Sequence, residues 1–301
     1  MPTLQGSYTA MITPMLSGGE IDYEGWKKNI KYQLEEGIDG LLALGTSGET
    51  PTLDEDEESR LLDILFPMVK EFNQKNNKSV KIMVGAGSNN TRDAVRYCVR
   101  AKEYGADFAL VVTPYYNKPS DEGIFRHFQE VSKVGIPIVV YNIQGRTGKN
   151  ISVPLLKRIC ELPNIVGVKE ASGNINQMME VIEKIKLVKP DFSVMSGDDG
   201  LTLPLMAAGG DGVISVVTNM IPGLMSELVH KCLAGDFDDA RKIHYRLQPF
   251  FRAAFVDGNP TCIKYAMNVK GLAAGEVRLP LAEPTDSAKE IIKDAIKTCN
   301  L

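Results

Sequence analysis

The chain holds almost nothing from which a metal centre could be assembled. Only three histidines occur in 301 residues, His127, His230 and His244, and they show neither an HxH nor an HExxH spacing. The five cysteines, Cys98, Cys160, Cys232, Cys262 and Cys299, are odd in number, scattered and never spaced CxxC. That pattern argues against both a disulfide framework and a zinc site. Positive charge is not in surplus either. Lys and Arg number 34 against 38 Asp and Glu, a formal net charge of −4, which speaks against a general grip on nucleic-acid phosphates. A small anionic substrate therefore needs locally placed cations. No apolar run approaches the roughly 18 residues of a membrane helix, and residues 1–6 lack the basic-then-apolar order of a secretory leader. A cytoplasmic protein without a membrane or nucleic-acid partner is expected. No G-x-G-x-x-G follows the first apolar run, which weakens a dinucleotide-binding reading.

What is present is a soluble globular composition, 44% hydrophobic and 24% charged, in a chain long enough for one large domain or two ordinary ones. Apolar, β-branched runs recur at residues 7–11, 40–44, 81–85, 108–112, 138–142, 165–168, 192–195 and 212–217. Between them lie segments with helical period at 22–36, 54–72, 91–104, 121–134, 154–161, 174–188, 201–208 and 222–233. Asp54 before Glu57, Asn90-Thr91 before Asp93 and Ser120 before Gly123 signal helix starts. Alternating strand and helix implies a parallel sheet. Eight such units in roughly 220 residues match an α/β (β/α)8 TIM barrel better than an open doubly wound sheet. After residue 235 the strands stop, and 237–255, 261–269 and 285–299 read as helices. The expected organisation is a barrel carrying the active site over 1–235 and a helical extension packed on it over 236–301.

In such a barrel the chemistry belongs at the C-terminal ends of the strands. The sixth run, Ile165-Val166-Gly167-Val168, ends in Lys169. Desolvation there disfavours the ammonium, and a neutral amine can attack a carbonyl to form an imine. A salt bridge to Glu170 or another carboxylate is the plainer alternative. The second run leads into Gly45-Thr46-Ser47-Gly48-Glu49, a glycine-framed turn able to offer N–H groups and hydroxyls to a carboxylate, or an ordinary capped turn. The fourth gives Tyr115 and Tyr116 beside prolines, placed for a rim or for interface packing. The fifth ends at Tyr141 and is followed by Arg146, a bidentate carboxylate binder or a solvated surface residue. The seventh gives Gly197-Asp198-Asp199, read as capping the next helix, and the eighth presents Ile214. Amine, phenols, hydroxyls and a loop arginine on one rim suit imine chemistry on an α-keto acid, with a tyrosine relaying protons.

These stretches together resemble the dihydrodipicolinate synthase / N-acetylneuraminate lyase family of class I pyruvate aldolases. The resemblance covers nearly the whole chain and is carried by residues 45–49, 113–117, Tyr141-Asn142, 145–148, 167–171, 196–199 and Asn259-Pro260. It implies that Lys169 forms the Schiff base with pyruvate and that Tyr141 donates and accepts protons. Thr46 would link Tyr141 to Tyr116, the latter entering from a neighbouring subunit. Ser47, with the backbone around Thr46, would hold the pyruvate carboxylate, and Ile214 and Gly197 would line the substrate. Arg146 resembles the branch that condenses pyruvate with aspartate-4-semialdehyde on the way to diaminopimelate and lysine, whose carboxylate that arginine would bind. A retro-aldol lyase for sugar acids and a non-catalytic keto-acid sensor are the competing readings. Apart from the covalent imine no cofactor is implied, and a homotetramer built from tight dimers is. The family's lysine-feedback site uses histidines after Glu49. Residues 50–58 contain none, so weak or absent lysine inhibition is expected.

Overall fold

The computed structural model describes residues 3–301. The apolar runs form β1 (Gly6–Ala10), β2 (Gly40–Ala43), β3 (Lys81–Gly85), β4 (Phe108–Val112), β5 (Ile138–Asn142), β6 (Ile165–Glu170), β7 (Ser193–Ser196) and β8 (Gly212–Ser215). They follow one another in sequence order around a closed barrel, the (β/α)8 architecture expected. Between and after them come α1 (Tyr23–Glu35), α2 (Glu55–Asn76), α3 (Thr91–Glu103), α4 (Asp121–Ser132), α5 (Gln144–Thr147), α6 (Val153–Ile159), α7 (Ile175–Val181), α8 (Thr202–Ala207), α9 (Pro222–Leu233), α10 (Phe237–Ala253), α11 (Thr261–Val269) and α12 (Asp286–Thr298).

Helix starts form where their caps are. The Asp54 carboxylate accepts from the Glu57 amide while Glu57 reaches back to the Asp54 amide, a closed capping box on α2. Ser120 accepts from Gly123 N on α4, and Asn90 from Arg92 N on α3.

Beyond shifts of a few residues at element ends, three segments differ from expectation. β6 runs on through Lys169 and Glu170, because neighbours on both sides supply ladder partners to polar residues as readily as to apolar ones. The segment 174–188 is not one α-helix: α7 ends at Val181 and a π-helical turn, Ile182–Lys186, follows. β8 stops at Ser215 and gives way to a 3₁₀ turn, Val217–Asn219.

The contacts fall into two compact units, one made of residues 1–6 and 81–214, the other of 7–80 and 215–301. The first holds β3 to β8. Its core is aliphatic, with Val111, Val139, Val140, Val168 and Val194 fully buried along the strands. At the N-terminal ends of those strands Asp211 accepts from the Val194 amide at 2.7 Å and from Lys186 Nζ at 2.7 Å, and its carbonyl accepts from Gly6 N at 2.9 Å. The second unit packs α1 and α2 together, with Trp26 buried and its indole N–H donating to Leu61 O at 3.1 Å. α10 packs against α9 and α12, and α11 against α12, in the same unit.

All five cysteines are buried and unpaired. Among the described residues, no group of three or more His, Cys, Asp or Glu side chains is placed to hold a metal ion, and no helix is long and apolar enough to cross a membrane.

Candidate active site

Parallel register sets the centre of the site. Val112 on β4 lies opposite Tyr141 on β5, Tyr141 opposite Lys169 on β6, and Lys169 opposite Met195 on β7. Residues in register on adjacent parallel strands present their side chains to the same face. The Lys169 ammonium nitrogen accordingly stands 4.5 Å from the Tyr141 ring centroid. Both are buried, Lys169 to 5% exposure and Tyr141 to 6%.

Glu170 does not pair with Lys169, because consecutive strand residues point to opposite faces. Its carboxylate is buried and accepts from Asn142 Nδ2 at 2.9 Å, Gln177 Nε2 at 3.2 Å and Ser172 N at 2.8 Å. Asn142 also donates to Asn150 Oδ1 and accepts from Ile151 N, both at 2.9 Å. That polar hub brackets the segment between β5 and α6. Within it, residues 144–147 form the short helix α5, with Arg146 exposed. The helical turn was not foreseen, since four residues with a glycine carry no period.

Burial pulls the Lys169 amine down from 10.5 to about 7. The Asp199 carboxylate pulls it back up, and the Arg146 guanidinium pushes it further down. Asp199 thus lies within electrostatic reach of Lys169, a carboxylate that the sequence reading took for a cap. The capping is done by Asp198, which accepts from Gly200 N at 2.9 Å, while Asp199 is buried. The available signal was position, two residues beyond the glycine that follows β7.

Gly197 is required by space. A Cβ there would lie 3.0 Å from Lys169 Cε, 3.1 Å from Lys169 Cγ and 2.6 Å from Ala171 Cβ. The lysine stem occupies the volume that any side chain at 197 needs. Ile214 is fully buried near the end of β8. Tyr116 stands out from the β4 end, 90% exposed, on a left-handed backbone at φ +72°. Thr113, buried behind it, donates from its hydroxyl to Tyr141 O at 3.1 Å.

In the second unit Thr46 opens a 3₁₀ turn, Thr46–Gly48, and Ser47 within it is buried. Ser47 Oγ is held by Asn259, whose Nδ2 donates at 3.0 Å. Sequence reasoning listed Asn259 only as part of a motif and missed this contact, which joins residues 212 positions apart.

The comparisons with known proteins identify the family and the fold. The family model for the dihydrodipicolinate synthetase family matches residues 3–299. The 4-hydroxy-tetrahydrodipicolinate synthase of Protochlamydia amoebophila is 49% identical over 281 residues, 93% of this chain and 91% of that protein. Among solved structures, the dihydrodipicolinate synthase of Thermotoga maritima shares 38% identity at a TM-score of 0.92, with 99% of each chain covered. A chloride-inhibited dihydrodipicolinate synthase from Acinetobacter baumannii, solved in complex with pyruvate, shares 35% identity at a TM-score of 0.90, again with 99% of each chain covered. The chain is a member of the dihydrodipicolinate synthetase family.

Proposed function

We propose that this chain condenses pyruvate with L-aspartate-4-semialdehyde to give 4-hydroxy-tetrahydrodipicolinate, the entry step toward diaminopimelate and lysine. The observation that carries the proposal is Lys169: a buried strand-end amine at about 7, over the ring of Tyr141. Its setting is a chain 49% identical to a synthase of that name.

The neutral amine attacks the keto carbon of pyruvate. The resulting carbinolamine loses its hydroxyl as water, leaving an imine on Lys169. Loss of a methyl proton gives the enamine, whose carbon adds to the aldehyde. The amino group of the added semialdehyde then attacks the imine carbon, closing the ring and expelling the Lys169 amine. Tyr141 moves the protons, with Thr46 linking it to Tyr116 of a neighbouring subunit. Ser47 and the Thr46 backbone hold the pyruvate carboxylate, and Ile214 and Gly197 line its place. Arg146 takes the carboxylate of the aldehyde. The imine to Lys169 is the whole covalent apparatus, and no resident cofactor enters the scheme. The working unit is a cytoplasmic homotetramer of tight dimers, which the exposed phenol of Tyr116 supports. Residues 1–235 act as the catalytic barrel and 236–301 as its helical extension.

Incubation with pyruvate and borohydride, followed by mass spectrometry, is expected to add one reduced pyruvate to the Lys169 peptide. A coupled assay with L-aspartate-4-semialdehyde is expected to show turnover that Arg146→Ala abolishes at ordinary substrate concentrations. An unlabelled Lys169 peptide overturns the chemistry. Labelling without that turnover moves the chain to another pyruvate aldolase, such as a sugar-acid lyase.

A further inference from the structure

Lys264 and Glu49 form an ion pair buried from water on both sides. Their charged atoms stand 2.8 Å apart, with side-chain exposure of 1% and 0%. Taking two charges out of water is costly, and a well-packed apolar pair often serves stability as well or better. The pair therefore calls for a reason other than stability, and its surroundings supply one.

Glu49 directly follows the hydroxyl turn Thr46–Gly48 and holds a left-handed backbone at φ +55°, uncommon for any residue but glycine. Its amide closes the turn on Thr46 O at 3.2 Å, and its carboxylate is fixed on both oxygens. Oε1 takes the Lys264 ammonium at 2.8 Å and Oε2 the Arg278 amide at 2.9 Å. Lys264 reaches the other flank too. It donates to Thr13 O at 3.0 Å and to Glu276 O, and the Thr13 hydroxyl donates to Gly48 O at 2.7 Å. Arg278 continues the clamp through Thr52 O at 2.7 Å and the Glu57 carboxylate. Five residues before Lys264, ahead of α11, Asn259 holds the Ser47 hydroxyl. The C-terminal end of the turn and its central hydroxyl are thus gripped from residues 259–278, directly at Glu49 and Ser47 and through Thr13 at Gly48.

We infer that Lys264, with Glu49, is a positioning residue for the carboxylate-binding turn, so that the helical extension sets selectivity for an anionic keto acid. The inference rests on the proposed imine chemistry and adds to it a role for residues that never touch substrate. If the ammonium is lost, the Glu49 carboxylate loses one of its donors, and the turn's N–H and hydroxyl donors lose their fixed aim.

The test compares saturation of borohydride trapping at Lys169 by pyruvate and by methyl pyruvate, which keeps the ketone and loses the charge. In Lys264→Met the half-saturating pyruvate concentration is expected to rise about tenfold, the scale of one weakened hydrogen bond to a charged group. That for methyl pyruvate should stay within about twofold. Glu49→Gln, nearly isosteric, decides by the same criterion if Lys264→Met does not fold. Equal changes for both ketones, or none, overturn the inference, because a merely structural pair has no means of distinguishing the charge. Absence of trapping in the unsubstituted chain overturns the imine reading first, and this inference with it.

Discussion

At the scale of single residues, the proposed chemistry turns on the protonation of Lys169. An amine at its ordinary 10.5 is neutral in about one molecule in three thousand at pH 7, whereas one at about 7 is neutral in half. The sign follows directly: the neutral, nucleophilic form grows as pH rises through 7, so trapping by pyruvate should accelerate over that interval and then level. Asp199 raises the lysine and Arg146 lowers it. Asp199→Asn is therefore expected to move the midpoint of trapping rate against pH down by about one pH unit, the lower end of what a close opposite charge does. Arg146→Ala should move it upward. A midpoint unchanged in both variants would leave burial as the sole cause. Lys169 itself was legible in the sequence, because an apolar β-branched run ending in a lysine is an expensive arrangement that chemistry can use. Asp199 was not, since a carboxylate after a strand-end glycine reads as a cap wherever burial is unknown.

Elements were legible to the extent that they bury an apolar face. The strands and the long helices announced themselves by period, and their starts by caps. What escaped was structure held by polar contacts. β6 gained Lys169 and Glu170 from ladder bonds, and α5 forms in a segment bracketed by the Asn142–Glu170 hub. Lys264 passed unremarked inside the helical pattern of 261–269, and nothing local pointed to Glu49, 215 positions away. The cap on α2 gives a prediction at this scale. Asp54→Ala removes one half of the capping box and an acidic charge from a helix N-terminus. The expected loss is about 1 kcal/mol, read from urea unfolding at pH 7. Glu57 also binds Arg278, so Glu57→Ala should cost more than Asp54→Ala. The reverse order would mean that the box, and not the arginine, anchors this end of the helix.

For the whole molecule the open matter is which chain Tyr116 serves. A phenol 90% exposed on a left-handed backbone gains nothing for its own unit by burial, and a conformation of that kind persists only where something over-determines it. If a second subunit supplies the constraint, two defects on different chains can be separated. Lys169→Ala removes the nucleophile, and Tyr116→Phe should slow turnover about a hundredfold, the scale of a lost general acid–base group. In a hybrid pair, the site that keeps Lys169 receives an intact Tyr116 from the defective partner. Unfolding the two variants together at equal concentration and refolding them makes about half of the pairs hybrid. Each hybrid holds one complete site, so roughly a quarter of the wild-type rate should return. Service within one chain predicts no recovery, because every chain that retains Lys169 then carries the phenylalanine. Refolding each variant alone measures the background. A mixture that stays at the mean of the two separate rates would remove Tyr116 from its neighbour's site, and with it the main physical reason for expecting tight dimers.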